Sequence, residues 1–246
     1  MKILILAAGY GTRLYAIVKD RPKALLDING KPLINYILEK IQNLKGLNEV
    51  LLVTNQKFFT IFEHWAKLQT QFPYKIKIIN DGTNSPDDRL GSIGDINFVL
   101  RQSVVDDDLL VLGSDNLFDY SLENYVDFAH SKKNSVTIGL YDIKNKDEAK
   151  KFGVVSFDQN NKVVSFEEKP VNPKSTLVSM CCYYLPKNTL GWIRDYLLES
   201  KKSDTSGDYI RWLCEKNNVY GFKFSGKWYD IGSVESYKEA QEKFKQ

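Results

Sequence analysis

The sequence predicts an α/β protein of Rossmann-like, three-layer α/β/α architecture, in which helices cover both faces of a mostly parallel central sheet. Two patterns in the 246 residues predict this class. Short continuous apolar runs, typical of strands buried on both faces, alternate with segments whose apolar residues recur every three or four positions, as in amphipathic helices. Such alternation is that of β-α-β units, which place successive strands parallel in one sheet. One domain accounts for this length.

The first half of the chain contains four predicted strands with three predicted helices between them. The strands are the apolar runs at residues 2–7, 50–54, 75–79 and 109–115. The first helix follows Pro32, and its apolar residues recur at helical spacing. These residues are Leu33, Ile34, Ile37, Leu38, Ile41 and Leu44. The other two helices are expected at about 57–70 and 92–103.

The second half is predicted to be less regular. GVVSFD and KVVSFEEKP, on either side of the polar residues 159–161, predict a β-hairpin. The other predicted elements are strands at 135–143, LVSMCCYYLP and VYGFKF, and helices at about 188–200, 207–216 and from about 233. Residues 85–89 and 201–207 are expected to be surface loops.

Composition and charge exclude several classes of protein. Hydrophobic residues make up 43% of the chain, but no apolar run approaches the roughly 20 residues of a membrane span. The 34 basic and 31 acidic residues give a net charge of +3, which is too balanced for a nucleic-acid groove. Met1 and Lys2 lead directly into the first strand without a secretion signal. We therefore expect a cytoplasmic protein with neither a membrane nor a nucleic acid as partner.

The cysteines and histidines do not suggest a catalytic or metal site. Cys181 and Cys182 are adjacent and Cys214 is isolated, so the chain lacks the spacing of a disulfide framework or a zinc site. We expect all three to be thiols inside strands and helices. His64 and His130 lie in predicted amphipathic helices, and we assign neither of them to chemistry.

The stretch LILAAGYGTRL, residues 4–14, ends a predicted strand with two glycines and an arginine. Glycines leave main-chain N–H groups accessible, and phosphate is the usual ligand of such a turn. The stretch is not a dinucleotide-binding fingerprint, because Leu14 stands where the third glycine belongs, and no G-x-x-x-x-G-K-[ST] P-loop occurs. In the remaining phosphate interpretation, Arg13 is a fork for phosphate oxygens and Lys23 is a second cation. A tight turn with solvated basic residues is the structural alternative.

Five motifs then follow one another along nearly the whole chain. They are GYGTRLYAIVKDRPKALL, LGSIG (90–94), LGSDN (112–116), KFGVVSFD…VVSFEEKP (151–170) and GKWYDIG (226–232). Together they resemble the signature of the sugar-1-phosphate nucleotidyltransferases. The resemblance implies a GT-A-like nucleotidyltransferase fold in a single domain, 1–246, with an NTP-binding half at about 1–120 and a sugar-phosphate-binding half at about 121–246. It also implies that an NTP and a sugar 1-phosphate react to give an NDP-sugar and pyrophosphate.

The resemblance assigns roles to the matching residues. Arg13 would grip the leaving phosphates, Lys23 would neutralise charge near the α-phosphate, and Asp115 would complete the catalytic set. The implied NTP-binding residues are Leu6, Ala8, Gly9, Gly11, Thr12, Arg13, Lys23, Gly91 and Ser92. The implied sugar-phosphate-binding residues are Asn116, Gly153, Glu168, Lys169 and Tyr183.

The carboxylates near strand ends suggest a magnesium site. Asp115 follows an apolar strand, at the carboxyl edge where open α/β sheets bind ligands, and a carboxylate there suits Mg²⁺. The resemblance adds Asp230 as the second ligand. Side chains of an ideal strand alternate, so Glu168 and Lys169 can face the same side only if the chain bends before Pro170.

The chain departs from the family pattern at three places. The family commonly has a proline and a threonine where this chain has Ala16 and Val18, so we expect a less rigid phosphate loop. The Q-x-x-x-x-G-L-A-Q stretch of glucose-1-phosphate thymidylyltransferases is absent, and LGSIG is closer to the LGTAG of uridylyl- and guanylyl-transferring relatives, which disfavours thymidine. The chain stops soon after the closing helix, so we expect no left-handed β-helix and no acyl-transferring activity.

Three other functions stay open at this point. The acceptor could be a non-sugar phosphate such as phosphocholine, with a CTP donor, or the chain could be a GT-A-like glycosyltransferase, although it has Asp115-Asn116-Leu117 in place of D-x-D. A non-catalytic module that binds nucleotide sugars would keep the fold but lose the cations. The sequence does not distinguish a monomer from a homo-oligomer, nor does it identify the sugar.

Overall fold

The computed structural model describes residues 1–18, 20–103, 105–200 and 205–244, without the side chains of Ala16 and Val18. The expectation about these two side chains therefore lies outside the described residues. The chain divides into two units. The first comprises Met1–Leu90, Leu112–Leu122 and Gly226–Gln246, and the second comprises Gly91–Val111 and Glu123–Ser225.

Strands and helices alternate along most of the chain. The strands are β1 (Lys2–Leu6), β2 (Asp27–Ile28), β3 (Lys31–Pro32), β4 (Glu49–Thr54), β5 (Lys75–Asn80), β6 (Leu109–Gly113), β7 (Asn116–Phe118), β8 (Val136–Asp142), β9 (Gly153–Phe157), β10 (Val163–Glu168), β11 (Leu177–Leu185), β12 (Val219–Lys223) and β13 (Trp228–Asp230). The α-helices are α1 (Tyr15–Val18), α2 (Leu33–Ile41), α3 (Gln56–Lys67), α4 (Gly91–Gln102), α5 (Glu123–Ser131), α6 (Lys146–Ala149), α7 (Gly191–Ser200), α8 (Ser206–Lys216) and α9 (Val234–Lys243). Single 3₁₀ turns cover Thr12–Leu14, Lys23–Leu25 and Lys187–Thr189.

In the first unit, β1, β4 and β5 pair in parallel and in register. The apolar run of β4 is buried from Val50 to Thr54, as expected for a parallel strand covered on both faces. Helix α3 makes the crossover from β4 to β5, and it begins at Asn55, whose side chain accepts a hydrogen bond from the Phe58 amide. Two short antiparallel ribbons, β2–β3 and β7–β13, complete the pairing in this unit.

A hydrophobic cluster in the first unit fixes the segment that follows β1. Leu14 is 1% exposed and belongs to this cluster, together with residues of α2, β7 and α9. The other buried members are Leu26, Ile28, Leu33, Tyr36, Leu117, Ile231, Ala240 and Phe244. Because Leu14 ends the 3₁₀ turn Thr12–Leu14, its burial holds that turn in place, while Arg13 stays exposed.

The second unit contains the less regular strands. β8 pairs antiparallel with β11 and parallel with β12, and β9 pairs antiparallel with β10 and β11. Tyr125 of α5 is fully buried, and its hydroxyl donates to the Thr137 carbonyl and accepts from the Tyr184 amide. A buried phenol with both kinds of partner keeps α5 packed on β8 and β11 without an unsatisfied polar group.

The predicted α/β class, with a mostly parallel central sheet and flanking helices, is confirmed. The predicted strands and the hairpin of β9 and β10 form within one or two residues of their expected bounds. The expectation of a loop through residue 207 is wrong for Ser206 and Gly207, which begin α8, and residues 201–204 lie outside the description. Leu44 is buried, but it lies beyond the end of α2. The β7–β13 ribbon was not predicted, because three-residue strands have too few positions to show a period.

Two predictions about composition can be compared with the described residues. Cys181, Cys182 and Cys214 are all free thiols, as expected. Within the described ranges, no helix has both the length and the apolar character that crossing a bilayer requires.

Candidate functional site

A turn rich in exposed main chain follows β1. Gly11 adopts the left-handed conformation, with φ 64° and ψ 27°, and its carbonyl accepts from the Leu14 amide at 2.9 Å. A side chain would be strained at this φ, which explains the glycine. Gly9 has no atom within 4 Å of the point where a Cβ would stand, so its face is open to a ligand. The turn thus presents bare backbone next to Arg13, as the sequence predicts.

This turn borders a cavity of about 330 Å³ in the first unit. Predicted site residues that line the cavity are Leu6, Gly9, Gly11, Thr12, Arg13, Lys23 and Asp115. The cavity therefore brings together the phosphate loop, the second predicted cation and the carboxylate at the end of β6. Two cations and one carboxylate in the lining suit an anionic ligand that is itself accompanied by a cation.

Lys23 and Asp115 form an ion pair within this cavity. The Lys23 Nζ donates to Asp115 Oδ2 at 2.6 Å, and their side chains are 17% and 30% exposed. Burial by itself would raise the pKa of Asp115, but the charge and hydrogen bond of Lys23, together with the charge of Arg13, lower the pKa below its ordinary value. Asp115 is consequently ionised at neutral pH.

Asn116, which follows Asp115, joins the two strands of the β7–β13 ribbon through its side chain. Its amide nitrogen donates to Asp115 Oδ1 at 3.1 Å and to the Gly113 carbonyl at 3.3 Å, and its oxygen accepts from Trp228 Nε1 at 2.7 Å. The Asn116 residue is 5% exposed. In the position that the resemblance assigns to sugar-phosphate binding, the structure therefore has a buried amide with partners inside the first unit.

Asp230 is the last residue of β13, in the same ribbon. It pairs with Asn116 in the β7–β13 register, and the Ile231 amide donates to the Asp115 carbonyl at 2.9 Å. A Cβ on Gly232 would stand 3.1 Å from Asp230 Oδ2 and 3.7 Å from a terminal nitrogen of Arg13. Asp115, Asp230 and Arg13 are thus neighbours. The described part of the chain holds no cluster of three or more His, Cys, Asp or Glu side chains that could bind a metal, so a metal here would rely on these two carboxylates.

Three residues that the resemblance assigns to the NTP do not line this cavity. Ala8 is 7% exposed, and its carbonyl accepts from the Asn55 side chain at 2.9 Å. Gly91 and Ser92 begin α4, which belongs to the second unit.

The other predicted sugar-phosphate residues gather in the second unit. Lys169 has φ 44°, and its amide donates to the Phe152 carbonyl at 3.0 Å. This left-handed residue forms a bend before Pro170, the condition under which Glu168 and Lys169 can face the same side. It brings Lys169 Nζ to 3.6 Å from Glu168 Oε1, while the lysine side chain remains 59% exposed.

Glu168 packs against the first turn of α8. A Cβ on Gly207 would collide with the Glu168 carboxylate, and a Cβ on Gly153 would collide with the Phe166 ring, so a side chain at either position would force its neighbour to move. Burial is the main cause of the raised pKa of Glu168, and the charge of Lys169 opposes it. Tyr183 is 5% exposed, and a 2.9 Å hydrogen bond joins its hydroxyl to Ser206 Oγ.

Some cavity residues were not singled out from the sequence. Tyr10 and Ser114 line the cavity beside residues that were predicted, so their position in the motif was the available signal. Gly232 also lines the cavity, and its place at the end of the GKWYDIG motif was the available signal. Pro86 and Arg89 line it from the segment interpreted as a surface loop, and nothing in their local sequence indicates a cavity. Tyr10 is held by a hydrogen bond to Thr83 Oγ1 at 3.1 Å.

Comparisons with known proteins extend over the same residues. A family model described as nucleotidyl transferase matches residues 2–246. The bifunctional protein GlmU of Methanocaldococcus jannaschii is 28% identical over 232 residues, which cover 94% of this chain and 51% of that protein. GlmU of Methanococcus aeolicus is 30% identical over 237 residues, with the same coverage. The chain spans about half the length of the curated relatives it matches.

Solved structures share the fold at lower identity. A candidate glucose-1-phosphate thymidylyltransferase from Bacillus anthracis, in complex with sucrose, superposes with a TM-score of 0.79 at 22% identity, covering 98% of this chain and 94% of that one. A UDP-glucose pyrophosphorylase complexed with UDP-glucose gives a TM-score of 0.79 at 23% identity, covering 98% and 97%.

The family match includes both groups of residues described above. It contains the glycine turn with Arg13, the Lys23–Asp115 pair and the Glu168–Lys169 bend. The resemblance inferred from five short motifs is therefore confirmed over nearly the full length of the sequence. The chain belongs to the nucleotidyl transferase family.

Proposed function

We propose that this protein joins an NTP to a sugar 1-phosphate and releases pyrophosphate. An oxygen of the sugar phosphate would bond to the α-phosphorus, while the bond from that phosphorus to the oxygen bridging to the β-phosphate breaks. Pyrophosphate leaves with the electron pair. Because both reactants are already ionised phosphates, the step requires no nucleophilic side chain, and positioning and charge stabilisation dominate catalysis.

The observation that carries this proposal is the arrangement of charges in the cavity of the first unit. Arg13 and Lys23 both line it, next to an exposed glycine turn. The guanidinium of Arg13 would bind the β- and γ-phosphates that leave, since its fork of N–H donors matches phosphate oxygens. Lys23 would neutralise the charge that develops near the α-phosphate. Main-chain N–H groups of the turn would complete the cradle.

The second unit would supply the contacts of the sugar phosphate. Lys169 is a half-exposed cation held in place by its left-handed backbone and by Glu168. We assign its ammonium to the sugar phosphate and the Glu168 carboxylate to sugar hydroxyls. Gly153 leaves main chain close to this carboxylate. The division into an NTP-binding half and a sugar-phosphate-binding half is part of the proposal.

The residues beside the cavity fit a divalent cation. Asp115 is ionised, because Lys23 and Arg13 lower its pKa, and Asp230 lies next to it in the ribbon register. Carboxylate oxygens are the ligands that Mg²⁺ prefers. We propose that Asp115 and Asp230 hold Mg²⁺, which when bound would supply positive charge to the phosphate oxygens.

The relatives suggest where to look for substrates. One neighbour by structure is a UDP-glucose pyrophosphorylase and another is a candidate glucose-1-phosphate thymidylyltransferase. Since LGSIG disfavours thymidine, we propose UTP with a hexose 1-phosphate as the first pair to test.

Three free thiols agree with a reducing compartment, and we propose a cytoplasmic location.

The test is a screen for pyrophosphate release by the purified protein with Mg²⁺. UTP, CTP, GTP and dTTP are each combined with a panel of sugar 1-phosphates and with phosphocholine. We expect release with one sugar phosphate and one NTP, and none without the metal. The test variant is Arg13→Ala, which should lose pyrophosphate release. The matched control is Lys75→Ala, which removes an exposed cation on β5 and should keep pyrophosphate release.

Each alternative gives its own result in this screen. Release only with phosphocholine and CTP indicates the non-sugar acceptor. NTP binding without release across the panel indicates a binding module. An NDP-sugar is added to the screen for the third alternative, because its cleavage without pyrophosphate formation indicates a glycosyltransferase.

A further inference from the structure

The Asn116 amide has used its hydrogen-bond donors. A primary amide has two N–H hydrogens and one carbonyl oxygen. Both donor contacts, to Asp115 Oδ1 and to the Gly113 carbonyl, lie within the β6–β7 segment, and the oxygen accepts from Trp228 Nε1. With 5% of the residue exposed and both N–H groups occupied, a sugar hydroxyl could accept a hydrogen bond from this amide only after one of the donor contacts breaks.

Trp228 helps to hold this amide in one orientation. The indole Nε1 is a donor and never an acceptor, so the Asn116 oxygen must face it and the nitrogen must face Asp115. Rotation of the amide by half a turn would place its oxygen against the Asp115 carboxylate and its nitrogen against the indole donor. The contact with Trp228 therefore adds to those with Asp115 and Gly113 in holding the amide in place. Trp228 is itself 9% exposed and lies opposite Phe118 in the ribbon, so its ring has little freedom.

The result is a carboxylate held at both oxygens. Asn116 donates to Asp115 Oδ1, and Lys23 donates to Oδ2. The Ile231 amide donates to the main-chain carbonyl of Asp115, so the backbone is held as well. The strand that carries Trp228 also carries Asp230, which pairs with Asn116 in register. The hydrogen bond between Trp228 and Asn116 therefore joins the strand that carries Asp230 to the segment that carries Asp115.

We infer that Asn116 and Trp228 are positioning residues: they orient the Asp115 carboxylate for the divalent cation, and Asn116 does not contact the sugar phosphate. The inference rests on the proposed function, because it assigns the pair to the proposed metal carboxylates. It differs from the role that the resemblance implies for Asn116. Groups that orient a metal ligand through a hydrogen bond typically change affinity or activity by about 10- to 100-fold when removed.

The test compares Trp228→Phe and Asn116→Ala with a matched control. Trp65→Phe removes an indole that donates to another asparagine of the first unit, Asn35, at 3.2 Å. Mn²⁺ binding to each full-length protein is measured by the loss of the free-ion EPR signal, with Mn²⁺ alone as the probe. We expect at least about tenfold weaker binding in both ribbon variants and unchanged binding in Trp65→Phe.

Steady-state kinetics give a second readout. For both ribbon variants we expect kcat to fall by about tenfold or more, the KM for the sugar phosphate staying within about threefold. A selective rise of that KM in Asn116→Ala, with Trp228→Phe near normal, would mean that Asn116 contacts sugar and would overturn the inference. Near-UV circular dichroism establishes folding, and if one variant does not fold, the other decides by the same measurements.

Failure of the inference and failure of the proposed function give different results. Normal Mn²⁺ affinity in a folded Trp228→Phe protein, or no Mn²⁺ binding by the unchanged protein, overturns the inference. A different result is that the unchanged protein releases no pyrophosphate while the two ribbon variants bind Mn²⁺ more weakly than the unchanged protein and Trp65→Phe do. That result overturns only the proposed reaction.

Discussion

The Lys23–Asp115 pair shows how a single residue is tuned in this family member. A carboxylate that is only 30% exposed would ordinarily be expensive to ionise. Contact with an ammonium at 2.6 Å and the charge of Arg13 outweigh that cost and lower the pKa of Asp115. Asp115 in turn holds the Lys23 side chain, so an anionic phosphate would meet an ammonium group that is already oriented.

Replacing Asp115 by asparagine tests this residue directly. Asp115→Asn keeps the shape but removes the negative charge, so we expect turnover to fall by at least about 10²-fold, the scale of losing one major electrostatic contribution. The measurement is kcat in the pyrophosphate-release assay. Asp127→Asn, on the exposed side of α5, is the control and should leave kcat unchanged. Near-normal turnover of Asp115→Asn at saturating Mg²⁺ would contradict its assignment.

Asp142 in the second unit links stability to pH. Hydrogen bonds from Lys144, Thr176 and Lys223 hold the pKa of Asp142 well below its usual range, and its side chain is 17% exposed. A lowered pKa means that the unfolded state binds the proton more tightly. The stabilisation is therefore complete above the unfolded pKa of about 4 and is lost as the pH falls toward the folded pKa.

The matching variant is Asp142→Asn. We expect it to lower the free energy of unfolding by about 1.5–3 kcal/mol at pH 7, the range for hydrogen bonds to a charged group, and by much less near pH 2. Urea unfolding at the two pH values measures the difference. Asp147→Asn is the control, because Asp147 is 84% exposed in its pair with Lys150 and should change little at either pH. A constant difference between Asp142→Asn and the unchanged protein across this range would contradict the linkage.

At the scale of elements, the start of α8 determines where Glu168 lies. Thr205 caps this helix through the Asp208 amide, and Gly207 in its first turn leaves room for the Glu168 carboxylate. The bend at Lys169 ends β10 immediately after Glu168. The predicted sugar-phosphate residues thus depend on two element ends, one of a strand and one of a helix.

A methyl group at Gly207 tests this arrangement. An alanine Cβ would collide with the Glu168 side chain, which must move, although alanine suits a helix better than glycine by about 1 kcal/mol. We expect Gly207→Ala to stay folded and to raise the KM for the sugar phosphate by about tenfold, the scale of one hydrogen bond to a charged group. Gly191→Ala at the start of α7 meets no atom within 4 Å and is the control. Equal KM values in the two variants would show that Glu168 does not bind the sugar.

At the scale of the whole molecule, ligand binding should appear as added stability. A ligand at 100 times its Kd adds about 2.7 kcal/mol to the native state, which is roughly 5–10 °C in Tm for a chain of this size. We expect Mg²⁺ with the cognate NTP to produce such a shift and the other NTPs to produce less. Arg13→Ala should lose most of it, whereas Lys75→Ala should keep it. A shift that is equal for all NTPs and insensitive to Arg13→Ala would contradict the cavity as the NTP site.

Much of the fold and part of the site followed from local sequence. The apolar run of β4, the helical spacing of α2 and the alternation of β9 and β10 are local periodicities. The strands formed within one or two residues of their expected bounds, whereas α2 ends at Ile41, three residues before the last apolar residue of its predicted run. Gly9, Gly11 and Arg13 were found for the same reason, because a turn that needs bare backbone shows its glycines in the sequence. Strand alternation made a bend before Pro170 the condition for Glu168 and Lys169 to face the same side, and Lys169 has the left-handed backbone of such a bend.

The sequence by itself therefore determined the class of fold, the glycine turn and the order of the motifs. Only the tertiary structure decided which side chains meet: Lys23 and Asp115 are 92 residues apart, and Asn116 and Trp228 are 112 apart. It also placed Pro86 and Arg89 on the cavity wall and buried the Asn116 amide. The physical reason is that periodicity and turn chemistry act over a few residues, whereas hydrogen-bond partners and burial depend on how distant segments pack.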